Sequence, residues 1–349
     1  MERNVYKSPL TDFLQVLKDY ESTKLIDFAK VVSLVTMNMR YEKVAFDLNL
    51  DTHPYLLTRE IIQSSQEMFL ALSALGFIEG SDKKNKLKTT DLVEKHKELW
   101  QEIWDRYDPD EFEEYIELYR NRIRINDINP IIEGKDCVDF GCGNGVFCFA
   151  LLDEGARSVT GVDFGTNSIR FAENVASEKH LKEQTSFLEQ DVTKTDLADE
   201  SFDFAIANGV FHHLIMEDMD KALLEVNRVL KKDGWFWYYT DGNHMIGMDL
   251  WDMSVDALSG VNVQFIENIL DTMNISRNKI AHIMDGLTAT YIHDDYDNVI
   301  RQLDRCGFKN FKRIVGGAPW DMDHDVIAKD PYGEEKFGTG DLRILCQKK

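Results

Sequence analysis

One five-residue segment, Gly141-Cys142-Gly143-Asn144-Gly145, constrains this 349-residue chain more than any other. It stands between a short apolar run, Cys137-Val138-Asp139-Phe140, and an apolar stretch of helical period, Val146 to Leu152. A chain can leave a strand, turn and enter a helix in so few residues only where side chains do not obstruct it, and alternate glycines meet that need. The rhythm continues downstream. Residues 158–163, 185–188, 202–207 and 234–239 read as strands, and 168–178 and 220–230 as helices. Strands alternating with helices predict an α/β fold, an open and mostly parallel sheet covered on both faces, whose ligands bind beyond the carboxyl ends of the strands.

The loop also selects among ligands. A dinucleotide calls for G-x-G-x-x-G, and a Walker loop for G-x-x-x-x-G-K-[S/T]. This loop is G-x-G-x-G followed by Val146 and Phe147, and neither pattern is present. A nucleoside without phosphates fits better. Asp139 precedes the first glycine by two residues, and Asp163 ends the next strand 18 residues beyond the last. A carboxylate there can accept two hydrogen bonds from ribose hydroxyls. Asp191, in Glu189-Gln190-Asp191-Val192 after the third strand, is placed to accept from an exocyclic amine.

Val138 to Gly145, with Gly161-Val162-Asp163 and Gln190-Asp191-Val192, closely resembles the S-adenosylmethionine-dependent methyltransferases of the Rossmann-like class. Phe202 to Asn208 and Val229 to Gly234 match that family's fourth strand and the turn before its fifth, so the resemblance covers about residues 133–240. It implies a seven-stranded sheet whose last strand is antiparallel, with 307–315 and 341–346 as the sixth and seventh strands. It further implies S-adenosyl-L-methionine as cofactor. Asp139 and Gly141, Cys142, Gly143, Asn144 and Gly145 would line the methionine part, and Asp163 would hold the ribose with Phe164 beside it. Asp191 and Val192 would take the adenine, and Asn208 would lie near the methionine amino group.

Residues 1–125 read as a separate helical domain. Apolar residues keep helical spacing around Phe13, from Thr23 to Met37 and from Thr58 to Gly76. Two short runs around the polar turn 80–85 then suggest a winged helix, and a helical stretch from Asp91 to Arg124 bridges to the next domain. The pattern looks like the dimerisation domain of small-molecule O-methyltransferases, which implies a homodimer. Residues 126–349 would form the cofactor-binding domain, with a helical insertion after the fifth strand, about 241–305, serving as a lid.

Charge narrows the partners. Lysine and arginine number 40 against 62 aspartate and glutamate, a net charge of −22. Such a chain repels nucleic-acid backbones and anionic lipid surfaces, so a small-molecule acceptor is expected. The five cysteines form no C-x-x-C pair, and no apolar run approaches the length of a membrane span, which together suggest a reduced, cytoplasmic protein. The runs Asp294, Asp295, Asp297 and Asp321, Asp323, Asp325 read as solvated faces; turned inward, they would favour a cationic acceptor over a neutral one.

Methyl transfer needs alignment, exclusion of water and removal of a proton where the acceptor carries one. His212 follows the fourth strand, where the O-methyltransferases place a general base, and His213 stands where they have an aspartate. His244 closes the polar cluster Asp241-Gly242-Asn243-His244 at the end of the fifth strand. These three histidines are the candidate catalytic groups. No metal is assigned. One alternative is metal-assisted C-methylation of a 2-oxo acid, with His212 or His213 and His282 as ligands. Another is a regulatory module that binds the cofactor without turnover.

Overall fold

The computed structural model describes residues 1–74, 109–275, 279–280, 283–284, 287 and 291–349. In chain order the principal helices are α1 (Asn4–Asp19), α2 (Lys24–Ala45), α3 (Pro54–Ala74), α4 (Pro109–Ile125), α5 (Val146–Asp153), α6 (Thr166–Glu178), α7 (Met216–Val229), α8 (Ile246–Leu258), α9 (Val263–Thr272) and α10 (Tyr296–Arg305). The strands are β1 (Asp136–Phe140), β2 (Ser158–Asp163), β3 (Thr185–Glu189), β4 (Phe202–Asn208), β5 (Leu230–Asp241), β6 (Phe308–Arg313) and β7 (Asp341–Lys348).

The chain divides into two compact units, each built from several segments. The first comprises 1–96, 244–289 and 325–338; the second comprises 97–243, 290–324 and 339–349. Helix α4 thus belongs with the sheet, whereas most of the segment after β5 belongs with the front helices. The winged-helix strands expected near 77–79 and 86–90 lie outside the described residues, as does His282.

In the first unit, α1, α2, α3, α8 and α9 pack through apolar faces that include Phe13, Leu17, Leu34, Ile62, Phe69 and Leu250. Thr23 caps α2 by accepting from the Ile26 amide, as a threonine before a helix should. Asp249 on α8 accepts from the Tyr6 hydroxyl at 2.5 Å and pairs with Arg3 at 3.0 Å, which ties the chain start to the late segment.

The second unit holds the expected seven-stranded sheet, in the order β3-β2-β1-β4-β5-β7-β6. Pairings among β1 to β5 are parallel, and β7 runs antiparallel to both β5 and β6. Strand alternation divides the core in two. Cys137, Phe204, Ile206, Trp237 and Leu345 face α4, α5 and α6. Val138, Phe140, Ala205, Phe236, Tyr238, Ile344 and Cys346 face α7 and α10. Each large side chain buried this way stabilises the unit by about 1.5–3 kcal/mol. Strand order reverses between β1 and β4, so a crevice opens at their carboxyl ends, where the glycine loop and the histidine pair both emerge.

Candidate functional site

The glycine loop is shaped by positive backbone angles. Gly141 has φ +78°, and a Cβ on it would come within 2.5 Å of the Val210 side chain, so no other residue fits. The amides of Gly141 and Cys142 donate to the Val162 carbonyl at 2.7 and 3.1 Å, which fastens the loop to β2. Cys142 has a packing role: a Cβ on Gly161 would stand 2.6 Å from its sulfur, so the absent side chain of Gly161 is the notch that receives the thiol.

Two carboxyls define the floor of this cradle. Asp139 is buried, and its neighbour is the Cys148 thiol, 3.6 Å away. Burial pushes its pKa up to about 7, opposed by the thiol hydrogen bond and aided by the charge of Asp163. Asp163 accepts from the Gly165 amide at 2.7 Å and from the Gly143 amide at 2.9 Å. Burial raises its pKa, and those amides pull it back down. Asn144 is buried, and its side-chain Nδ2 has no hydrogen-bond partner among the described residues. A buried orphan donor costs about 1–3 kcal/mol unless a ligand satisfies it.

The remaining cofactor candidates are placed as follows. Phe164, beside Asp163, is 46% exposed. Val192 is buried, and the exposed Asp191 accepts from the amide and hydroxyl of Thr193. Asn208 is engaged inside the protein: Trp237 Nε1 donates to its Oδ1 at 3.2 Å, and its Nδ2 lies 3.4 Å from the Tyr119 hydroxyl. Tyr119, from α4, stacks on Phe147 with ring centroids 4.4 Å apart. Composition and motif spacing gave no sign of Tyr119, because α4 lies outside the repeating strand-helix pattern.

Beyond β4, His212 is buried and His213 half-buried, with their Nε2 atoms 3.1 Å apart. Asp241, at the end of β5, brings Oδ2 to 3.3 Å from His212 Nδ1. Tyr291 packs edge-on to His213 at 4.6 Å and tilted to His212 at 5.2 Å, and His293 stacks on Tyr291 at 6.0 Å. The Ile292 amide donates to the His212 carbonyl at 2.8 Å, which holds this segment over the pair. His244 belongs to the first unit, is exposed, and offers its backbone carbonyl to Arg3 at 2.6 Å.

The aspartate runs are solvated only in part: Asp297 is exposed, and the Asp325 side chain is about half exposed. Asp321 and Asp323 are both buried. Arg343 donates to Asp321, Asp323 and Asp341 at 2.7, 2.7 and 2.9 Å, and Arg122 donates to Asp321 at 3.0 Å. Backbone amides of Gly316 and Ala318 complete the two carboxylates. Asp295 caps α10 through the Asn298 amide, and Asp294 accepts from the Asn298 side chain at 2.6 Å. Alternating charge on a sequence cannot reveal partners 200 residues away. The inward turn therefore creates a neutralised network rather than a cation site. Among the described residues, no cluster of three His, Cys, Asp or Glu side chains could hold a metal ion.

The model of a family described as methyltransferase domain matches residues 138–238. The chain is 30% identical over 109 residues to methyltransferase phqN of Penicillium fellutanum, covering 31% of this chain and 33% of that protein. It is 29% identical over 107 residues to sterol 4-C-methyltransferase strm-1 of Caenorhabditis elegans, covering 31% of each. Other relatives are named for tRNA and for ribosomal protein L11. The chain thus spans about a third of the length of these curated relatives. A solved 1,6-didemethyltoxoflavin-N1-methyltransferase of Burkholderia thailandensis is similar at 15% identity and a TM-score of 0.44, over 74% of this chain and 86% of that one. With its sheet order, its glycine cradle and the matched family model, the stretch 138–238 is a Rossmann-like, S-adenosylmethionine-dependent methyltransferase domain.

Proposed function

We propose that the chain transfers a methyl group from S-adenosylmethionine to a small-molecule acceptor whose proton is taken by the His212–His213 pair. The observation that carries this reading is the shared edge. The cradle after β1, the histidine pair after β4 and Asp241 at the end of β5 all project from the carboxyl ends of parallel strands of one sheet. The cradle fits the cofactor: Asn144 offers an unmet donor, Asp139 and Asp163 offer carboxylates, and Phe164 offers an exposed ring. When bound, S-adenosylmethionine supplies an electrophilic methyl on a sulfonium. Asp139 and Asn144 would hold the amino-acid end and Asp163 the ribose. Asp241 beside His212 Nδ1 favours a proton on that nitrogen, so His212 Nε2 accepts from His213 and the pair can take up one proton as a unit. The rings of Tyr291 and His293 exclude water from that side.

The acceptor is read as neutral, because the aspartates that would have attracted a cation are spent on Arg122, Arg343 and helix capping. The net charge of −22 disfavours a nucleic acid. No helix among the described residues is long and apolar enough to cross a membrane. Leu25 on α2, Phe46 and Leu48 just beyond its end, and Leu70 on α3 stay exposed in the first unit and suit a homodimer contact.

The test is release of S-adenosylhomocysteine across a panel of phenols, enols, amines and thiols. His212→Asn and Asp241→Asn should each lower turnover about 10²–10⁴-fold with the best acceptor. Undiminished turnover in both variants overturns the base assignment. Tight binding of S-adenosylhomocysteine with no turnover on any acceptor favours the regulatory module.

A further inference from the structure

We propose that Tyr239 is a positioning residue that aims the Asp241 carboxylate at His212. The inference rests on the base reading above and extends it to a residue whose ring stands edge-on to His212, centroids 6.3 Å apart, and whose hydroxyl is turned to Asp241 instead. Tyr239 and Asp241 share one face of β5 two residues apart, and their hydroxyl and Oδ1 meet at 2.9 Å. The other oxygen of the same carboxylate stands 3.3 Å from His212 Nδ1, at ion-pair distance but off the hydrogen-bond line, so its rotation decides how well the two align. One carboxylate is thus held between a phenol and an imidazole, and its rotation is set by the phenol.

The phenol is itself held firmly. Tyr239 pairs in register with Arg343 across β5 and β7, and the guanidinium lies 4.4 Å from its ring centroid. Arg343 cannot drift, since it is buried and bound to Asp321, Asp323 and Asp341. The tyrosine hydroxyl has one proton to give. Asp341 Oδ1 is a weaker claimant at 3.5 Å, and its other oxygen is taken by Arg343 and the Met322 amide. The proton therefore goes to Asp241. Burial keeps the phenol protonated throughout the neutral range, so it is always a donor. The buried arginine network acquires a purpose by this route: it fixes a ring, the ring fixes a carboxylate, and the carboxylate decides which nitrogen of His212 carries hydrogen.

The titratable and charged groups facing the pair are Asp241 and Tyr239 on β5, Tyr291 and His293 on the covering segment, and Asp341 and Arg343 on β7. The experiment is proton NMR of the full chain labelled with ¹⁵N-histidine, following the His212 Nδ1 hydrogen and the titration midpoint of the pair. Tyr239→Phe keeps the ring on Arg343 and removes only the hydroxyl. The freed carboxylate should rotate away, moving the Nδ1 resonance upfield and lowering the midpoint by about one unit, while S-adenosylhomocysteine affinity stays unchanged. An unchanged midpoint, or a rise, overturns the proposal, because a rise means that the phenol only withdraws charge. Difluorotyrosine placed at 239 keeps both ring and hydroxyl, and should preserve the resonance even where the phenylalanine variant fails to fold; its loss would also overturn the proposal. Asp241→Asn separates the two levels. If it shifts the resonance and Tyr239→Phe does not, the positioning role falls and the base reading stands; if neither does, both fall.

Discussion

Asp139 offers the sharpest test of how this cradle trades stability for ligand binding. Its carboxyl is 2% exposed and keeps one weak thiol partner. Burial holds its pKa near 7 against an ordinary 3.8. Between those values the folded chain binds one proton more than the unfolded chain, so stability falls as pH rises through that window. Above pH 7 the ionised carboxylate costs the fold about 4 kcal/mol, at 1.36 kcal/mol per unit. Asp139→Asn keeps the shape and is neutral at every pH. Urea unfolding of the cofactor-free protein at pH 4, 6 and 8 should therefore show little change at pH 4. The variant should gain at pH 6 and approach about 4 kcal/mol at pH 8. Binding of S-adenosylhomocysteine should weaken in the same variant, because the carboxylate that burdens the empty fold is the one that would face the ligand's ammonium. A stability difference that does not vary with pH, or a variant less stable than the parent at pH 8, would refute the reasoning.

Asp163→Ala should abolish calorimetric binding of S-adenosylhomocysteine and cost about 1–3 kcal/mol by orphaning the Gly143 or Gly165 amide; undiminished binding would sink the ribose role. Arg343→Met strands Asp323 and Asp341 without their guanidinium and should destabilise the protein by about 3–5 kcal/mol in chemical denaturation, far more than breaking the exposed Lys18–Asp256 pair, worth at most about 1 kcal/mol. Gly141→Ala forces a Cβ against Val210 at a positive φ, and should lower the thermal midpoint and eliminate cofactor binding together.

The fold was legible in the sequence because its determinants are local. Alternation of apolar residues sets each strand, and the glycines around Cys142 force the turn that opens α5. Even the antiparallel last strand followed, once the motif chain from Asp139 to Asp191 had identified the domain type. His212 and His213 were legible as neighbours on one turn. Asp241 was visible only as part of a polar cluster, and nothing in the spacing joined it to His212.

What the tertiary structure alone decided was pairing across the chain. Asp321 and Asp323 look like surface acids until Arg122 and Arg343 are brought to them from about 200 and 20 residues away. The segment after β5 reads as a helical lid inserted in the cofactor-binding domain; in the structure its Asp249 binds Tyr6 and Arg3 at the chain start. The physical reason is the same in each case. Periodicity and turn chemistry are properties of neighbouring residues, so the sequence alone determined the α/β sheet and its glycine cradle. The charge state and orientation of a buried group depend on what lies beside it in space, and only folding brought Asp241, Tyr239 and Arg343 together.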